Sequence, residues 1–177
     1  RGGPLTAVPM RMIFGSAIPP PTTAWVVVEL SRVVRTTYFS GKLSADARIF
    51  SRSVQPGLDL LNALVLQISS GEQPFDSGGH LAVQGRKIPE LLTAWKSCPQ
   101  FSDPEEWDPL CGTAKIFLDL TQENPQFACY MLQDVLCTAS HLVVEGITRA
   151  MNKILPQHPS PATVFLMGGG CRNGFLV

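Results

Sequence analysis

Near its carboxyl end the chain reads "TVFLMGGGCRNGFLV", and Gly168, Gly169 and Gly170 are the residues whose type and spacing most favour holding a ligand. Val164 to Met167 is short and apolar, as a buried strand is, which puts the glycines at a strand's carboxyl end. Open α/β sheets hold their ligands there. Lacking Cβ atoms, the glycines let a phosphate or a nucleoside come close to the backbone, and a helix starting near Asn173 would aim free N–H groups at an anion. The stretch is not a P-loop, for no Gly-Lys-Ser/Thr follows. Nor is it the dinucleotide fingerprint, since Asn173 stands where that motif has its third glycine. A plain strand-to-helix turn with glycines for close packing accounts for the same residues, so both readings stand.

Other candidates for chemistry are weaker. Asp76 and His80 flank a glycine pair and have the types of an acid/base couple, but in a polar stretch such residues serve mainly as turn formers and surface groups. Asp103, Glu105, Glu106 and Asp108 make an acidic run without metal-ligand spacing, which reads as a solvated loop. Cys171 has no neighbouring histidine to activate it and reads as a small packed thiol. Trp25, Trp95 and Trp107 are expected in the core or at its rim rather than stacked on a sugar.

The elements that must position these residues follow from periodicity. "TAWVVVEL", "RVVRTTYFS" and "ARIFSRSV" read as strands and, being consecutive, as an antiparallel meander. After Pro56 and Gly57, Leu60, Leu61, Leu64, Val65 and Ile68 recur at helical spacing. "GEQPFDSGGH" is a loop, and "IPELLTAWKSC" a second helix with Pro89 in its first turn. Gln100 to Leu110 reads as a surface loop. Asn124 as cap and Pro125 as first helical residue open a long amphipathic helix ending before Pro156. Strands, helices and a last strand running into glycines make an α/β domain with a mixed sheet.

Composition bounds the partners. Lysine plus arginine and aspartate plus glutamate each number 14 in 177 residues, so no long-range field draws the chain to nucleic acid or anionic lipid. No apolar run reaches the ~18 to 20 residues of a membrane span. The 5 cysteines, without a Cys-x-x-Cys pair, fit free thiols in a reducing compartment, the cytoplasm, and the scattered histidines exclude a zinc site.

Taken in order, these segments resemble the anhydro-N-acetylmuramic acid kinases of the sugar kinase, Hsp70 and actin superfamily. "RGGPLTAVP" is similar to that family's Gly-Gln-Gly-Ala-Pro-Leu loop, "DLLNALVLQISSGEQPFDSGGHLAVQGRKIPELLTAWKSCPQF" to its helix and following Asp-x-x-Gly segment, and "DVLCTASHLVVEGI" resembles the helix before its last motif. "GGGCRNGFL" resembles its Gly-Gly-Gly-x-x-Asn signature. The resemblance implies an RNase H-like actin/sugar-kinase lobe. Residues 1–177 would form one lobe of a two-lobed enzyme truncated at both ends, with 1–20 a connecting loop from the other lobe. It further implies an ATP- and Mg²⁺-dependent kinase of an amino sugar, opening a 1,6-anhydro bond with water and phosphorylating O6; a homodimer is compatible with it. Carried over, Gly168, Gly169, Gly170 and Asn173 would lie against the nucleotide, and Pro56 and Gly57 against the sugar.

Two segments depart from that pattern. The family's Asn-Ile-Gly-Gly turn is replaced by Glu29, Leu30, Ser31 and Arg32, exchanging a backbone cradle for side chains and adding a carboxylate. The segment carrying the family's general-base aspartate reads Ser53, Val54, Gln55, Pro56 and Gly57, and a serine hydroxyl does not take water's proton at pH 7 as a carboxylate does. Asp59 stands two residues beyond Gly57. A diverged, inactive relative serving as a binding module is the alternative these departures raise.

Overall fold

The computed structural model describes residues 24–40, 48–102, 113–155 and 162–177. Strands β1 (Ala24–Glu29), β2 (Val34–Ser40), β3 (Arg48–Val54) and β4 (Ala162–Met167) form one sheet of order β3-β2-β1-β4. β1 to β3 are the expected antiparallel meander, and β4 joins β1 in parallel, with Ala24 opposite Ala162 and Glu29 opposite Met167. This is the expected mixed sheet of an α/β domain.

β1 explains its own place in the middle. Side chains alternate across a strand, and here both faces are apolar. Ala24, Val26 and Val28 join the main core with Tyr38 of β2. Val27 packs on the other face with Phe39, flanked by Trp25, Ile49, Phe165 and Met167.

The main core lies between the sheet and the helices α1 (Leu58–Ile68), α2 (Pro89–Lys96), α3 (Pro99–Ser102), α4 (Thr113–Glu123), α5 (Pro125–Ala128) and α6 (Leu132–Ile154). α1 buries Leu60, Leu61, Leu64 and Val65, the stripe read from its spacing. α6 crosses the sheet where Gly146 leaves no room for a side chain: a Cβ there would lie 2.7 Å from Val54 Cγ1. Arg149 ties α6 to α3, stacking 5.5 Å over the Phe101 ring and donating to the Phe101 carbonyl at 2.6 Å.

Three readings of the sequence change. The long helix expected from Asn124 is two helices. Asn124 does cap, its side chain accepting from the Gln126 amide at 3.0 Å, but α5 ends at Ala128 and α6 starts at Leu132 after an extended Met131. The break lets Phe127 turn into the core. The stretch after Pro99 is no surface loop at its start, since α3 buries Gln100 and Phe101. α4 went unread, though Phe117 at its centre is wholly buried and its carbonyl accepts the Trp95 indole N–H at 3.1 Å. Trp95 is accordingly a core residue, edge-on to the Phe117 ring. Residues 1–20, the acidic run from Asp103 to Asp108, Trp107, Cys111, Pro156 and His158 lie outside the described residues. Among the described residues no helix is long and apolar enough to cross a membrane.

Candidate functional site

Because β1 and β4 are parallel, the turns that follow them emerge at the same end of the sheet. The turn after β1 carries Leu30, Ser31 and Arg32; the turn after β4 carries the glycines. Two backbone bonds lock them together: the Leu30 amide donates to the Met167 carbonyl at 2.7 Å and the Gly170 amide to the Leu30 carbonyl at 2.9 Å. Against them opens a cavity of about 480 Å³. Leu58, Leu61, Phe75 and Leu176 give it apolar walls, while Ser31, Arg32, Asn62, Asp76, Arg172 and Asn173 bring polar groups.

The three glycines play different parts. Gly168 has φ +93°, a conformation L side chains rarely adopt, and a Cβ on it would lie 2.5 Å from the Leu30 carbonyl oxygen. Gly170 is packed just as tightly, 2.7 Å from both Leu30 Cβ and Leu58 Cδ1. Gly169 alone faces open space, with nothing within 4 Å of a Cβ, and it lines the cavity. Close packing thus accounts for Gly168 and Gly170 but not for Gly169.

No helix starts near Asn173. The turn is a 3₁₀ segment, Gly169–Arg172, that Asn173 terminates. The Asn173 side chain lines the cavity, yet its Oδ1 accepts the Phe175 amide at 3.0 Å, and it abuts Gly79 of the neighbouring loop. Its carboxamide oxygen is therefore engaged in holding the carboxyl-terminal turn. The expected helix start that would aim N–H groups at an anion is therefore not formed at Asn173.

Asp76 is not a surface group. It is buried, and its two oxygens accept the Leu81 and Ala82 amides, each at 2.9 Å. This anchors the 3₁₀ turn Ser77–Gly79, whose Gly78 carbonyl receives the Gly174 amide at 3.2 Å. His80 is exposed. The two do not form an acid/base couple.

Pro56 and Gly57, expected near a sugar, are buried and do not line the cavity. The Gln55–Pro56 peptide is cis, and a Cβ on Gly57 would collide with the Arg32 carbonyl oxygen. Both Gln55 side-chain polar atoms are buried without a hydrogen-bond partner. Ser53, one residue before the end of β3, is half-buried and lies opposite Arg35. Asp59 lies in the first turn of α1, its amide donating to the Arg32 carbonyl at 3.4 Å. Burial pushes its carboxyl above the usual range, opposed by the Leu60, Gly57 and Asp59 amides and by the Arg32 charge.

Glu29, the carboxylate expected to repel phosphate, does not line the cavity, and Ser31 Oγ donates toward it at 3.4 Å. The cavity instead gains Arg32 and Arg172. Neither these arginines nor the exposed Phe75 was read from the sequence as a site residue. Arg32 was visible only as a lost glycine, and nothing marks Phe75 before the fold brings its loop to the glycine turn. Cys171 is a free, half-buried thiol, and the buried Cys98 and Cys137 have thiols pushed up by desolvation. Among the described residues no group of histidines, cysteines and carboxylates could hold a metal ion.

No family model matches the chain. Over 162 residues it is 28% identical to the anhydro-N-acetylmuramic acid kinase of Microcystis aeruginosa, a match covering 88% of this chain and 42% of that protein. Over 114 residues it is 36% identical to the anhydro-N-acetylmuramic acid kinase of Gloeobacter violaceus, covering 63% of this chain and 28% of that one. The chain spans less than half the length of the curated relatives it matches. Among solved structures, the activator of the 2-hydroxyisocaproyl-CoA dehydratase from Clostridium difficile with bound ADPNP overlaps 90% of this chain and 50% of its own, with TM-score 0.45 and 14% identity.

Proposed function

We propose that the chain, which belongs to the anhydro-N-acetylmuramic acid kinase family, supplies the nucleotide-holding part of an ATP-dependent kinase of that amino sugar. The observation that carries the reading is the cavity at the carboxyl ends of the parallel pair, where Gly169, with open space at its Cβ position, stands among apolar walls and two arginines. Phe75 and Leu176 suit the flat apolar face of a base, and Gly169 lets ribose or phosphate approach the backbone. ATP bound there would supply the phosphoryl group. Leu30 and Gly170 hold the two turns in register for it, and Asp76 keeps the facing loop in place. Asp76 is the one carboxylate among the lining residues and its oxygens are already engaged, so among the described residues the cavity offers no ready ligand set for Mg²⁺.

A specific observation favours a second reading, a relative that binds without turnover. By the resemblance Ser53 would stand at the position of the family's general base, and Asp59, the neighbouring carboxyl, does not line the cavity. General-base assistance is worth ~10²- to 10⁴-fold in rate.

The two turns are tested together by titrating the chain and its Gly169→Val variant with ATP in a calorimeter. Valine fills the approach path without striking the fold, so the expected result is binding that the variant loses while its melting temperature holds. Equal affinities would reduce the turn to a packing device.

A further inference from the structure

We infer that Arg32 and Arg172 form a polyphosphate subsite in this cavity, doing with two guanidinium groups what the related kinases are expected to do with a glycine backbone. The inference rests on the nucleotide reading of the same cavity and adds to it which groups take the anionic end.

Topology brings the pair together. Arg32 lies just after β1 and Arg172 just after β4, two parallel neighbours, and the Gly170-to-Leu30 bond of 2.9 Å fixes one turn on the other. Both residues line the cavity and both are exposed, so their side chains are open to a ligand. Their backbones are held. The Arg32 carbonyl accepts the Asp59 amide at 3.4 Å and packs against Gly57. Arg172 is framed by the Cys171-to-Gly168 and Asn173-to-Gly170 bonds at 3.3 and 3.0 Å.

The charge balance at the cavity favours an anion. Two arginines face one lining carboxylate, Asp76, whose oxygens serve the Leu81 and Ala82 amides. Glu29 stands outside the lining, and Asp59, which feels the Arg32 charge, does too. Guanidinium is planar, carries its charge at all working pH values and matches phosphate oxygens two at a time. A ligand with two or more linked phosphates has anionic oxygens to offer to each arginine, whereas an uncharged nucleoside has none.

The test separates this inference from the reading beneath it by using inorganic pyrophosphate, which has no base or ribose, alongside ATP. Calorimetric titrations are run on the whole chain and on Arg32→Gln, Arg172→Gln, the double variant and Lys153→Gln, a charge removed at the far end of α6. Thermal melts confirm that each folds. The expected result is pyrophosphate binding that weakens ~10-fold with either single arginine change and ~100-fold with both, as for hydrogen bonds between charged groups. It should also fade with added salt and ignore Lys153→Gln. ATP binding at full strength to the double variant would overturn the arginine subsite and leave the nucleotide reading standing. Arginine-dependent pyrophosphate binding with no gain for ATP would support the subsite and overturn the nucleoside part. Absence of binding for both ligands would overturn both.

Discussion

The carbonyl of Leu30 accepts the Gly170 amide at 2.9 Å, while the Leu30 amide donates to the Met167 carbonyl at 2.7 Å, so one residue of the first turn is stitched both to the end of β4 and to the turn that follows it. The cavity's shape depends on that stitch, because Leu30 and Gly170 both line it. Gly170 must stay bare for it to close.

Alanine therefore separates two adjacent glycines. Gly170→Ala would press a methyl to 2.7 Å from Leu30 Cβ and Leu58 Cδ1 and should cost about 1 to 3 kcal/mol by overpacking. Gly169→Ala, with nothing within 4 Å, should leave stability almost unchanged. Urea unfolding of the two variants checks the contrast; equal losses would mean that the stitch is not what constrains the turn.

Asp76→Ala should destabilise the chain by about 3 kcal/mol, since a buried and a part-buried amide lose their acceptor at once. The loss should be local as well as global. Hydrogen exchange at Leu81 and Ala82 is expected to quicken beyond what the drop in overall stability accounts for, and unchanged protection there would show that water replaces the carboxylate.

Asp59 gives a pH dependence of known sign. Burial raises its carboxyl above the ordinary 3.8, so the folded chain holds that proton more tightly than the unfolded one. Its contribution to stability is complete below the ordinary value and is lost as pH climbs through the raised one. Asp59→Asn removes the titration, so urea melts between about pH 3 and pH 7 should show the variant gaining on the parent as pH rises. A difference that stays flat across that range would refute the shift.

Trp95→Phe keeps an aromatic ring but deletes the indole N–H that reaches the Phe117 carbonyl at 3.1 Å. Fluorescence-independent unfolding, by circular dichroism, should register a loss of about 1 to 2 kcal/mol. Trp95→Ala should lose about 3 to 5 kcal/mol through the cavity it leaves.

Much of the framework could be read from the residues. β1 and β2 announce themselves by runs of valine, threonine and aromatics, and α1 by Leu60, Leu61, Leu64 and Val65 on one face. The α5–α6 break could not be read, because apolar spacing runs on through Tyr130 and Met131 and only the burial of Phe127 forces the turn. α4 hid beside a proline- and acid-rich stretch that suggested loop. At the site, glycines without Cβ atoms were legible as a place of close approach, but which of them faces a ligand depends on Leu30 and Leu58, far apart in sequence. Arg32 looked like damage to a backbone cradle; only the parallel pairing of β1 with β4 sets it beside Arg172.

That pairing also has a kinetic meaning. β1, β2 and β3 are neighbours in sequence and can zip up locally, whereas Ala24 must wait for Ala162, across most of the chain, before β4 can dock. Contacts so distant are entropically costly and form slowly. The glycine turn is attached to this late strand, so the meander can be native while the cavity does not yet exist. Ligand capture would then report the last closure of the chain, and refolding followed through a ligand should lag refolding followed through β-sheet signal.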